Sequence, residues 1–251
     1  MTTLAIIGGS GLTELASLEV TRRQIVRTPY GEPSGPLTFG RVAGGEVVFI
    51  ARHGYGHTLA PHEINYRANL WALKEKGVGR ILAVCTVGGI TPEMVAGTLA
   101  VPDQIIDYTC GRKSTFFEGA EKPVVHVDFT HPYCEATRRV LLDAASDAGV
   151  AVVARGTYAA VQGPRLETAA EVNRLERDGA QLVGMTGMPE AALARELGIA
   201  YAALAVVANS AAGRGASADA ISLDEISKVL NDAMRRVRRV VEKVVERHGR
   251  P

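Results

Sequence analysis

Leu4-Ala5-Ile6-Ile7-Gly8-Gly9-Ser10-Gly11 decides the fold class. Four apolar residues are too few for an amphipathic helix, and running straight into glycines they read as a buried strand ending in a tight turn. Glycine at a strand end lets the backbone approach a ligand closely. The pattern recurs along the chain. Residues 46–52 and 80–86 are β-branched-rich runs, the second followed by Gly88-Gly89, and further strands are predicted at 150–153, 157–162, 182–184 and 201–207. Helical spacing falls between them at 64–76, which Gly77 closes, and at 134–148, 168–178 and 189–197. Such alternation predicts an α/β protein with a mixed, mostly parallel sheet flanked by helices. Residues 222–248 form a long amphipathic helix with Val237, Val240, Val241 and Val244 on its apolar stripe. Its other face carries Arg235, Arg236, Arg238, Arg239, Lys243 and Arg247 among Asp232, Glu242 and Glu246, which reads as a solvated face.

The composition narrows the classes further. Of 251 residues 47% are apolar, and 28 Lys and Arg oppose 27 Asp and Glu for a net charge of +1. That excludes a disordered chain and a surface built for nucleic acid. The longest apolar stretch, 199–208, is too short to span a bilayer, and the Met-Thr-Thr-Leu start does not read as a signal peptide, so a cytoplasmic protein without membrane contact is expected. Cys85, Cys110 and Cys134 fit neither a disulfide framework nor a zinc knuckle and are expected to be reduced. Without repeats or linkers, residues 1–251 read as one domain.

Several familiar motifs fail. Gly9-Ser10-Gly11-Leu12-Thr13-Glu14 ends in an acid where a dinucleotide fingerprint needs a small residue, and Leu12 breaks a hydrolase elbow at Ser10. His53, His57 and His62 cluster, but Tyr66 stands where a zincin needs histidine, and no metal is expected. What survives is a set of anion binders at strand ends: Ser10, Arg52 with His53, and Thr86 before Gly88-Gly89. Backbone amides, hydroxyls and an arginine fork at the carboxyl edge of an open sheet can hold phosphate.

Five motifs then carry a resemblance. Ala5-Ile6-Ile7-Gly8-Gly9-Ser10-Gly11-Leu12, Ala51-Arg52-His53-Gly54, the run 65–74, Gln162-Gly163-Pro164-Arg165-Leu166-Glu167-Thr168 and Gly184-Met185-Thr186-Gly187-Met188-Pro189-Glu190 resemble, in order, the purine nucleoside phosphorylase / methylthioadenosine phosphorylase family. The likeness runs from residue 5 to about 230 and is nearest to the bacterial S-methyl-5'-thioinosine phosphorylases. It implies a nucleoside phosphorylase fold, usually a homotrimer, that splits a purine nucleoside with inorganic phosphate as co-substrate and uses neither metal nor organic cofactor. By position it implies that Ser10, Arg52, His53, Thr86, the Val87 backbone and Thr186 hold phosphate, and that Met185 lies under the ribose. Glu167 and Asn209 would face the purine, Asn209 as the catalytic residue, and Ser210 and Ala211, which follow in the same run, would bind the substrate beside them. His126 and Phe129 would close a neighbouring subunit's sugar pocket, putting the active site near the subunit interface.

The donor and acceptor inventory then selects a base. Asn209 offers an amide N–H to a 6-oxo group and a carbonyl to a proton on N7, and Glu167 accepts the N1–H of hypoxanthine or guanine, whereas adenine N1 would meet it lone pair to lone pair. Relatives taking 6-aminopurines place aspartate at the Asn209 position. Leu223 matches a position that is apolar in the methylthio enzymes, and it is expected to bury the thiomethyl group. Methylthioinosine is therefore the expected substrate, a broader 6-oxopurine nucleoside specificity the nearest rival, and methylthioadenosine third.

Overall fold

Gly8 ends the first strand because a Cβ there would lie 2.0 Å from the Leu12 carbonyl, so the chain turns at once through Gly9-Ser10-Gly11. In the computed structural model, which describes residues 3–120 and 123–248, this strand, β1 (Thr3–Gly8), lies inside a mixed sheet. On one side it pairs in parallel with β4 (Gly45–Ala51), which continues by antiparallel pairing to β3 (Leu37–Val42) and to the edge strand β2 (Glu19–Gln24). On the other side it pairs in parallel with β5 (Val78–Gly89), the longest strand among the described residues. The whole far edge of β5 is taken by β10 (Ala200–Ser210), also parallel. So β4, β1, β5 and β10 point the same way, and their carboxyl ends deliver Arg52-His53, Ser10, Thr86 to Gly88 and Asn209 to one edge.

These central strands are buried on both faces, which explains why they read as unbroken apolar runs. Alternation sorts their side chains. Ala203, Ala205 and Val207 of β10 join Ala83 and Cys85 beneath α1 (Tyr66–Glu75) and α4 (Gly187–Glu196). Leu204 and Val206 instead join Leu82 and Val84 beneath α2 (Glu135–Asp147) and α5 (Leu223–His248). The helices start where capping chemistry allows. Asn65 accepts from the Ala68 amide at 3.0 Å, and Thr168 with Glu171 forms a capping box at α3 (Ala169–Arg177). In α4, Met188 is extended (φ −119°, ψ 141°), so the regular helix begins at Pro189 as the proline predicts.

The remaining strands are β6 (Leu99–Ala100), β7 (Gln104–Asp107), β8 (Thr157–Ala160) and β9 (Leu182–Gly184). The strand expected at 150–153 does not form. Its partner β6 is only two residues long, and Val153 makes a single bridge to Ala100. The solvated face expected on α5 is partly structural: Arg236 donates to the Gly97 carbonyl at 2.7 Å, and Arg239 donates to Ala148 at the end of α2. Among the described residues no helix is long and apolar enough to cross a membrane.

Candidate active site

One edge of β5 is shared by two strands that never meet. Pairing to β1 ends at Ala83, antiparallel pairing to β9 begins at Gly88, and β10 occupies the opposite edge throughout. The sheet therefore splits along residues 84–87, and backbone groups left there need other partners. Arg52 supplies one, because its Nη1 donates to the Val84 carbonyl at 2.9 Å. A cavity of about 480 Å³ opens at the split, lined by Gly9, Ser10, Arg52, His53, Thr86, Val87, Gly88, Met185, Thr186, Glu167 and Asn209 among others.

The end expected to take phosphate is built on a buried ion pair. Arg52 and Glu190 are both 0% exposed and meet as a fork, Nε to Oε2 at 2.7 Å and Nη2 to Oε1 at 2.8 Å. Tyr201 donates to the same carboxylate at 2.8 Å, and Cys85 Sγ accepts weakly from Nη2 at 3.8 Å. Burial opposes the arginine charge, and the Glu190 carboxylate more than offsets it, so the guanidinium stays charged. This corrects the expectation of a fork free for phosphate. The fork is committed to Glu190, and Arg52 keeps one Nη1 hydrogen beside Gly9, where a Cβ would stand 2.9 Å from that nitrogen.

Around it stand the other expected anion binders. His53 Nδ1 is 2.8 Å from the Leu59 carbonyl, which can only accept, so Nδ1 carries the proton. Burial pushes its pKa down to about 4, opposed by that hydrogen bond and reinforced by the Arg52 charge, and the neutral ring leaves Nε2 as an acceptor. Ser10 Oγ lies 3.4 Å from His57 Nε2, and Thr86 Oγ1 donates to the Ser10 carbonyl at 2.9 Å. Thr186 is buried beside Cys85 with its amide donated to Tyr158 Oη at 3.3 Å.

At the end expected to take the nucleoside, Met185 packs beneath Gly163, whose φ of +62° and missing Cβ leave room for Sδ 2.4 Å from where that Cβ would be. Glu167 lines the cavity, and burial pushes its carboxyl pKa up from the ordinary value, a hydrogen bond from its own backbone working the other way. Asn209 reaches the cavity through a register shift. Val207 opposes Val87 but Asn209 opposes Gly88, so the extra Ala208 turns Asn209 to the face of Thr86 and Gly88. Its Nδ2 donates to the Ser210 carbonyl at 2.6 Å, leaving a second N–H and the amide oxygen for a ligand.

Three expectations on this side are corrected. Ala211 is buried in a small core with its amide on the Gly89 carbonyl at 2.7 Å, and it does not reach the cavity. Ser210 contributes its carbonyl to Asn209 while its hydroxyl turns toward Gly215. Leu223 stands 69% exposed because α5 only begins there, and Ile226 and Leu230, on the same stripe three and seven residues further along, line the cavity instead. The 211–215 loop is tied down by Arg214, which donates to Glu176 at 2.6 Å and Asn173 at 2.9 Å. His126 is exposed and Phe129 half-buried against the main core, and neither lines the cavity of its own chain. Glu190, Tyr201, Ile226 and Leu230 escaped the sequence reading. For Glu190 a signal existed, an acid within a mostly apolar run after Gly187-Met188-Pro189.

Comparison with known proteins adds to this geometry. A family model described as the phosphorylase superfamily matches residues 3–246. A Pseudomonas syringae pv. tomato protein named as a probable S-methyl-5'-thioinosine phosphorylase is 53% identical over 245 residues, covering 98% of this chain and 99% of that protein. The 6-oxopurine nucleoside phosphorylase of Pyrococcus furiosus is 50% identical over 218 residues, covering 85% of this chain and 81% of that protein. Among solved structures, methylthioadenosine phosphorylase from Schistosoma mansoni in complex with adenine superposes with a TM-score of 0.95 at 32% identity, covering 99% of this chain and 92% of that one.

Proposed function

The chain belongs to the phosphorylase superfamily, and from that premise we propose that it acts as one domain in the reversible phosphorolysis of S-methyl-5'-thioinosine to hypoxanthine and 5-(methylthio)ribose 1-phosphate. The observation that carries the reading is the joint placement of Glu167 and Asn209 in the cavity that also holds Ser10, His53, Thr86 and Thr186. A carboxylate and an amide converging on one base complement N1–H, the 6-oxo group and N7 of hypoxanthine.

The atoms balance without a metal or cofactor. An oxygen of hydrogenphosphate forms the bond to C1′ as the C1′–N9 bond breaks, and the proton it brought ends on the departing purine. His53 Nε2 suits that cargo, since a lone pair accepts a P–OH hydrogen bond. The Val87 backbone, the Ser10 hydroxyl, the last Arg52 N–H and the Thr86 hydroxyl, once it turns its proton from the Ser10 carbonyl, complete the anion cradle, while Met185 offers a polarizable apolar floor to the sugar. Asn209 stabilises charge gathering on the base. Ile226 and Leu230 provide the apolar wall that a thiomethyl group needs.

The second reading, a 6-oxopurine nucleoside phosphorylase acting on inosine or guanosine, is favoured by the Pyrococcus furiosus relative and shares the base contacts. Free base released from methylthioinosine, methylthioadenosine, inosine and guanosine in the presence of phosphate separates the readings. Fastest release from methylthioinosine is expected, and faster release from methylthioadenosine would sink the base assignment. A homotrimer completes the proposal. Val124 is 76% exposed, with Val125 and Val127 also uncovered in the segment that carries His126 and Phe129, and an apolar strip of this kind suits a subunit contact. Light scattering should return about three times the 26.6 kDa chain mass, and a monomer mass would refute it.

A further inference from the structure

Arg112 lies on the segment between β7 and α2, outside the cavity lining and outside every motif that carried the resemblance. Its guanidinium is the meeting point of two walls. Nη1 donates to the carbonyls of Met185 at 2.8 Å and Met188 at 2.6 Å, and Nη2 to those of Gln162 at 2.8 Å and Val161 at 3.3 Å. Nε donates to Gln162 Oε1 at 3.2 Å. Nη1 also stands 3.3 Å from Tyr66 Oη, which donates to Pro61 on the cavity rim at 2.9 Å. Arg112 forms no ion pair with a carboxylate among the described residues, so its donors serve backbone almost entirely.

Those carbonyls belong to the exits of β8 and β9, two neighbouring parallel strands, and, for Met188, to the start of α4 that β9 leads into. The first exit leads through Gly163 to Glu167 on the base side, and the second carries Met185 beneath the sugar and Thr186 beyond it. Without the guanidinium, four carbonyl oxygens would converge with no common donor, and each would need water or a shift of its wall. A lysine ammonium has three donors on one point and cannot span the same set as a planar fork does. We propose that Arg112 is a positioning residue for the nucleoside: it fixes the gap between the base-side and sugar-side walls without touching substrate. The assignment rests on the phosphorolysis reading. It also predicts a separation, because, of the expected phosphate binders, only Thr186 lies on a wall that Arg112 holds, whereas Ser10, Arg52 and His53 follow β1 and β4 and Thr86 lies within β5, strands to which Arg112 makes no hydrogen bond among the described residues.

Initial rates of the full chain at varied nucleoside and varied phosphate yield two KM values for wild type, Arg112→Met and Arg112→Lys, with Tm measured alongside. The nucleoside KM should rise about tenfold or more in Arg112→Met while the phosphate KM changes less than about threefold, since misplaced walls cost binding geometry. Arg112→Lys should fall between, and it carries the comparison alone if the methionine variant fails to fold. Equal rises in both KM values, or unchanged KM values with kcat falling only as the folded fraction falls, would overturn the proposal. The better of methylthioinosine and inosine for wild type serves as nucleoside, so an error in the 5' assignment leaves the test intact. No turnover of either nucleoside by wild type would sink the functional reading instead.

Discussion

Glu190→Ala is expected to remove about 3–5 kcal/mol of folding stability, the cost of leaving a buried charge without its partner. Arg52 is fully enclosed, and after the substitution its guanidinium would keep only the Val84 carbonyl and the Cys85 sulfur, while Tyr201 would lose the acceptor for its hydroxyl. A fall in urea midpoint with unchanged slope would report the loss. Replacing both charges together, as Arg52→Met with Glu190→Leu, should recover most of that stability because apolar groups of similar volume need no compensation. Phosphorolysis should not recover with it, falling about 10²-fold or more for want of a preorganised donor at the anion. A single variant within 1 kcal/mol of wild type would show that the pair contributes little to the fold. A stable double variant with full activity would remove Arg52 from the phosphate end.

Asn209→Asp should move base preference toward 6-aminopurines by about 10²–10³ in relative kcat/KM, the scale on which an unpaired polar group in a built site discriminates. A carboxylate accepts from a 6-amino group but turns lone pairs toward a 6-oxo group. Asn209 is half-buried outside the core, so the exchange disturbs no core packing, but it gives up the bond to the Ser210 carbonyl, from which the carboxylate must turn away. The measurement is the ratio of methylthioinosine to methylthioadenosine turnover in wild type and variant. An unchanged ratio would mean that Asn209 does not read the 6-position, whatever the reaction.

Much of this was legible in the residues, for identifiable physical reasons. Strands buried on both faces, β1, β4, β5 and β10, announce themselves as apolar runs, closed by glycine in β1 and β5, and the helices between β4, β5 and β10 make those three parallel, whereas β1 and β4 become parallel through the antiparallel β2 and β3 between them. Edge strand β2 is exposed along nearly its whole length, with Arg22 laid on Phe39, so no hydrophobic alternation marks it. β6 is too short to leave any pattern. Site residues carried by strand ends, such as Ser10, His53 and Thr86, could be placed because strand direction places them. Leu223 and Ala211 were misjudged because their positions depend on where α5 begins and on the shift at Ala208, details of tertiary packing. Arg112 acts through contacts 46 to 76 residues distant in the chain and Glu190 meets Arg52 across 138, separations that no local spacing encodes.

The split along β5 has a consequence for how such a chain can diversify. The end proposed for phosphate is welded: Gly9 has no room for a side chain, and Arg52 and Glu190 can change only together. The end proposed for the base rests on loops held by a solvent-exposed pair, Arg165 with Glu171, and a half-buried one, Arg214 with Glu176, of which the first can be exchanged at little cost. One half of the cavity is thus a fixed socket and the other an interchangeable fitting. Relatives named for thioinosine, for 6-oxopurine nucleosides and for methylthioadenosine on a common frame are what that division of tolerance would generate.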